Sequence, residues 1–151
     1  IEVNITALTQ LMKLFLQPMI DRGSGRVLNV ASTGAFQPGP MLATYYASKA
    51  YVLSLSEAVA CELHKTGVTL TCLCPGATST SFMDRANMKS LRLFRFGLMD
   101  ADTVARVGYR GTMAGRGIVI PGLANRVLAF SVRLAPRRFV TRLVGWLMSR
   151  G

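Results

Sequence analysis

At 151 residues, half of them apolar, the chain is long enough for one globular domain with a real core, and its composition argues against disorder. The net charge of +11 sits almost wholly in residues 76–151, where thirteen Lys/Arg face three Asp/Glu, against five and four in residues 1–75. No run of roughly 18 or more uncharged apolar residues occurs, which argues against a membrane-spanning helix, and one histidine with three cysteines does not assemble a metal-ligand set.

Residues 1–20 read as a helix, with Ile5, Leu8, Leu11, Met12, Phe15 and Met19 near helical spacing. The first residue is Ile1, so the sequence reads as starting inside a longer chain. Asp21–Gly25 is a turn, and Arg26–Ser32 is a short, mostly apolar run expected to be a buried strand. Thr33–Leu42, with Gly34, Pro38, Gly39 and Pro40, is a loop leaving the carboxyl end of that strand. A long helix rich in small residues follows over residues 43–65 and stops at Gly67. Val68–Cys74 is β-branched and apolar, a second strand ended by Pro75-Gly76, and Gly76–Ser81 is a second loop at a strand's carboxyl end.

Residues 82–99 have no clear period. Ala101–Ala114 is expected as a helix capped near Asp100 or Asp102, Gly117–Gly122 as a third strand, and Leu123–Arg150 as one or two basic amphipathic helices broken at Pro136. The order helix, strand, long helix, strand implies parallel strands joined by a helical crossover, hence an α/β fold with helices on the faces of a parallel sheet. In such sheets ligands bind beyond the carboxyl ends of the strands, where both breaker-rich loops fall.

Cys61, Cys72 and Cys74 are odd in number and are expected to be buried in a reducing cytoplasm. Cys72 and Cys74, two apart in a strand, share a face without being placed to bridge. His64, near the end of the long helix, reads as a partner of the helix dipole.

The chemistry-bearing set is Ser32, Tyr45 and Lys49. Tyr45 and Lys49 are four apart at the start of the long helix, so their side chains share one face. Ser32 ends the preceding strand, and the fold brings all three to one rim. A tyrosine in water titrates near ~10 and is a poor acid or base at neutral pH, but a neighbouring ammonium stabilises a phenolate. The adjacent Tyr46 stands only three residues from Lys49 and breaks the Tyr-x-x-x-Lys spacing.

Several segments resemble the short-chain dehydrogenase/reductase family in the right order: Asn4 in IEVNITAL, Ser32 in GRVLNVAS, Tyr45 and Lys49 in YYASKAYV, and Pro75-Gly76 in CLCPGATST. The resemblance is strong over roughly residues 1–82. It implies a doubly wound, Rossmann-type sheet, with residues 1–122 forming the C-terminal portion of a catalytic domain and residues 123–151 a basic helical segment. It further implies hydride transfer between NADP or NAD and a carbonyl or alcohol. Tyr45 would be acid and base, and Lys49 would bind the nicotinamide ribose and, with the cationic ring, stabilise the phenolate. Ser32 would orient the substrate oxygen, and Asn4 would hold a water linking Lys49 to solvent.

Pro75 and Gly76 would face the nicotinamide, and Thr78 and Thr80 stand where the family carries an aliphatic residue and a threonine that meets the cofactor. Thr78 departs from that pattern toward polarity, and a hydroxyl satisfying a turn is the competing reading for both threonines. The family's glycine-rich phosphate loop, the selector between NADP and NAD, and the Asn-Asn-Ala-Gly segment precede the residues present. The fragment alone is therefore expected to hold a dinucleotide poorly, and its first strand to expose a sheet edge. The family's pairing of the helices at 1–20 and 43–65 implies a homo-oligomer.

Phe82, Met83, Met88, Leu91, Leu93, Phe94, Phe96 and Met99 fall where the family places its substrate loop, and suit a hydrophobic small-molecule substrate as well as they suit a core. Arg85, Lys89, Arg92 and Arg95 run through the same stretch and read as a solvated face before a site for an anionic tail. Residues 123–150 have the composition of a helix lying on an anionic membrane, or of a pocket cover with a solvated basic face, so the expected location is cytoplasmic or peripheral to a membrane. The competing function is a non-catalytic module binding a membrane surface or nucleic acid; no nucleic-acid reading motif accompanies the arginines.

Overall fold

The structure, a computed structural model, describes residues 1–79 and 97–149. A π-helical stretch over Glu2–Ala7 runs directly into helix α1, Leu8–Asp21. The helix closes as its residues dictate. Gly23 takes the left-handed conformation (φ +67°), its N–H donates to Ile20 O at 2.9 Å and Ser24 N–H donates to Met19 O at 3.1 Å, a Schellman closure.

Strand β1, Gly25–Val30, follows, then a 3₁₀ turn at Thr33–Phe36 within the expected loop, and helix α2, Ala43–Glu62. Strand β2, Val68–Leu73, lies parallel to β1 in a register pairing Gly25 with Val68 and Val30 with Leu73. The crossover helix inferred from sequence is thus present between parallel strands. A two-residue pair, β3 (Thr78–Ser79) with β4 (Met99–Asp100), leads into helix α3, Ala101–Met113, where the Asp100 carboxylate accepts the Thr103 N–H at 2.9 Å as the expected cap. Strand β5 is only Ile118–Val119, shorter than Gly117–Gly122 because Pro121 lacks the N–H to continue a ladder; it pairs parallel to β2. Helices α4, Leu123–Ser131, and α5, Arg137–Leu147, end the described chain, with Pro136 breaking them apart.

The sheet order is β1-β2-β5, and alternation along β2 feeds both faces. Leu70 packs with Met12 of α1 and Leu63 at the end of α2, while Cys72 and Cys74 pack with Val52 and Leu53 of α2. On the other face Leu73 packs with Val104 of α3 and Val119 of β5. Among the described residues β1 has a strand on one side only, and Leu28 and Val30 are exposed there.

Cys72 and Cys74 are fully buried, with Sγ atoms 3.9 Å apart and unbonded. Cys61 corrects the expectation of burial: it lies in the last turn of α2 on the solvent side and is exposed, because a helix turn offers the sheet only part of its circumference. A chromogenic thiol reagent should therefore titrate one of these three cysteines quickly in the native protein and the other two only after denaturation. Fast reaction of two or three would mean that the Cys72–Cys74 strand opens.

Candidate active site

The rim is built where β1 and β2 end. Ala31 N–H continues the ladder to Leu73 O at 2.8 Å, and Thr33 N–H then donates to Pro75 O at 2.8 Å. The loop holding Ser32 and the Pro75-Gly76 turn are thereby tied together. Ser32 caps the 3₁₀ turn, its Oγ accepting the Gly34 N–H at 3.0 Å, so the hydroxyl is held at the strand end with its own proton still to donate.

The start of α2 presents two tyrosines with opposite surroundings. Their rings meet edge to face, 5.8 Å apart at 77°. Tyr46 is buried against Val140, Val144 and Met148, and its ring fills the space beside Gly39, where a Cβ would come within 2.1 Å of it. Burial, with Tyr45 beside it, pushes the Tyr46 phenol up to about 12. Tyr45 is only half-buried, and the Lys49 Nζ lies 5.9 Å from its ring centroid. Lys49 donates to Val30 O at 2.9 Å. Burial lowers its pKa, opposed by the Cys72 and Cys74 thiols beneath it.

Asn4 sits in the π-helical stretch and donates its Nδ2–H to Ser48 Oγ at 3.1 Å; Ser48 Oγ in turn donates to Tyr45 O at 2.7 Å. The Asn4 amide thus reaches the residue before Lys49, and through it the backbone that carries Tyr45. Ser48 was not singled out from sequence. Its signal was a hydroxyl three residues after Tyr45, on the helix face that turns inward.

Gly76 lies against α4: a Cβ there would stand 2.5 Å from Asn125 Oδ1. The Thr78 hydroxyl donates to Gly76 O at 2.9 Å, so it satisfies its own turn and retains only acceptor capacity. Thr80 lies outside the described residues, as do Phe82 to Phe96 and the four basic residues Arg85, Lys89, Arg92 and Arg95. Met99 of β4 is half-buried, and its sulfur accepts from Asn125 Nδ2 at 3.4 Å.

The family model described as short chain dehydrogenase matches residues 1–90. A putative ketoacyl reductase of Streptomyces coelicolor is 39% identical over 82 residues, covering 53% of this chain and 31% of the relative. Dehydrogenase/reductase SDR family member 4 of Sus scrofa is 37% identical over 106 residues, covering 64% and 38%. Among solved structures, a short-chain dehydrogenase from Sphingobium yanoikuyae in complex with NADPH superimposes with a TM-score of 0.73 at 29% identity, covering 87% of this chain and 51% of that one. The chain spans about a third of the curated relatives it matches and about half of the solved one. The sheet and its flanking helices are thus of the Rossmann type seen in these structures. The matches give no support to the non-catalytic alternative.

Proposed function

The chain belongs to the short-chain dehydrogenase family, and on that premise we propose that it contributes the proton-transfer half of an oxidoreductase interconverting a carbonyl and an alcohol with NADP or NAD. The observation that carries this reading is the Lys49 ammonium 5.9 Å from the Tyr45 ring, on the rim where two parallel strands end. The Lys49 donor set fits the nucleotide: one N–H goes to Val30 O, and the remaining donors suit the two hydroxyls of a ribose. Pro75 and Gly76 would line the ring; the Thr78 hydroxyl, left as an acceptor, suits only the N–H of the carboxamide, and Thr80 would meet the amide or phosphate end.

When bound, the nicotinamide supplies or takes the hydride. In the reducing direction Ser32 Oγ–H holds the carbonyl oxygen, and Tyr45 donates its phenolic proton to the alkoxide as it forms. The Lys49 ammonium then stabilises the phenolate left behind, and oxidation reverses these transfers. Asn4 and Ser48 act by position, fixing the first turn of α2 against the π-helical stretch. The substrate is a small and hydrophobic molecule in this reading, by the apolar run from Phe82 to Met99. The protein is read as a homo-oligomer, since α1 leaves Leu11, Leu14 and Phe15 exposed.

The test follows reduced-nicotinamide absorbance with hydrophobic ketones and aldehydes, using the product of the longest reading frame that contains these residues and its Lys49→Ala variant. Loss of the ammonium is expected to lower kcat by about a hundredfold or more and to weaken cofactor binding. Turnover indifferent to Lys49, or no turnover by the unaltered protein across the panel, would overturn the reading.

A further inference from the structure

We propose that the C-terminal helices seat the protein on an anionic lipid surface, with α5 as the contacting helix. The inference goes beyond the reaction assigned above and stands on a different face of the molecule. From Thr103 to the last residue the chain carries nine arginines and no acid. Within that stretch α5 has two apolar stripes. Val140, Val144 and Met148 pack inward on Tyr46. Phe139, Leu143 and Trp146, spaced four and three apart, turn outward and are 60%, 44% and 53% exposed. Arg138 and Arg142, one turn apart and exposed, run alongside the outward stripe.

A helix that only covers a core carries polar residues opposite its buried face. Here large apolar side chains occupy that face, flanked by cations, as in helices that lie in the membrane interface. Helix α4 and the residues after it repeat the pattern, with Val127, Phe130 and Leu134 exposed near Arg126 and Arg133. None of the described helices is long and apolar enough to cross a membrane, so the contact is interfacial.

Charge selects this occupant over two others. A second copy docked face to face would set Arg138 and Arg142 against cations, with no acid after Asp102 to pair them. A nucleic acid would meet the arginines through phosphate but leave Phe139 and Leu143 in water. Anionic lipid meets both: headgroups pair the arginines and acyl chains cover the stripe. Because the inward stripe rests on Tyr46, docking would hold the Tyr45–Lys49 rim about one helix diameter, ~10 Å, from the bilayer.

Trp146 is the sole tryptophan of the 151 residues and lies in the proposed contact, so its emission is the probe. Vesicles of phosphatidylcholine with about a third phosphatidylglycerol should shift that emission to the blue in the full chain, pure phosphatidylcholine should not, and high salt should reverse the shift. Arg138→Gln with Arg142→Gln should weaken partitioning by roughly thirtyfold with the circular dichroism unchanged. Lys13→Gln with Arg26→Gln removes equal charge elsewhere and should leave partitioning near that of the unaltered protein. Four outcomes overturn the proposal: no shift, an equal shift with neutral vesicles, equal weakening by both double variants, or a shift that follows protein concentration or added duplex DNA instead of lipid.

Discussion

Tyr45→Phe is expected to lower kcat by about a thousandfold while nicotinamide binding persists, whereas Tyr46→Phe is expected to leave turnover near that of the unaltered protein. General acid–base groups contribute about 10²–10⁴ in rate, and phenylalanine removes the proton while keeping the ring. The contrast between the neighbours follows from where α2 points them. Tyr45 shares its face with Lys49 and meets solvent at the rim. Tyr46 is packed between the Thr33–Leu42 loop and α5, and with its phenol pushed up to about 12, forming its phenolate at pH 7 costs roughly 7 kcal/mol at about 1.4 kcal/mol per pH unit. Steady-state absorbance assays of both variants, with circular dichroism to show that each folds, decide the matter. Activity surviving in Tyr45→Phe, or abolished in a folded Tyr46→Phe, would assign the proton to a different group.

The largest loss of stability is expected at Gly67. It adopts φ +79°, and a Cβ there would lie 2.0 Å from the carbonyl oxygen of Gly23, a backbone atom with no rotamer to yield. Alanine in the left-handed region costs about 1–2 kcal/mol, and forcing the two turns apart adds about 1–3 kcal/mol more. Gly67→Ala should therefore cost about 2–5 kcal/mol and lower Tm by roughly 4–20 °C for a domain of this size. Gly23→Ala supplies the comparison, since Gly23 has φ +67° but open space around its missing Cβ. It should show the backbone cost alone, about 1–2 kcal/mol. Equal thermal shifts in the two variants would mean that the turns before β1 and β2 do not touch as described.

Much of this architecture is legible in the residues because local rules decided it. Val68–Leu73 forms a strand as its β-branched run predicts, Asp100 caps α3, and Pro136 separates α4 from α5. The Tyr45–Lys49 pair is legible for the same reason, since four-residue spacing on a helix is a local fact. What escaped depends on contacts distant in sequence. The role of Tyr46 as a buried strut is set by Val140 and Val144, about a hundred residues away, and no local pattern announces it. Cys61 departs from the usual burial of cysteine because the side of α2 it occupies is decided by tertiary packing. Asn4 is marked by resemblance, whereas its bond to Ser48 depends on the packing of the π-helical stretch against α2, which no local pattern encodes.

The single bond from Thr33 N–H to Pro75 O has an evolutionary corollary. It fuses the two strand-end loops into one shelf whose height is fixed by the β1–β2 register. An exposed loop residue farther from that shelf, such as Met41, can then change in chemistry without misplacing Ser32, while Gly39 stays tied to the Tyr46 ring. A protein built this way can change what it recognises while leaving alone the atoms that react.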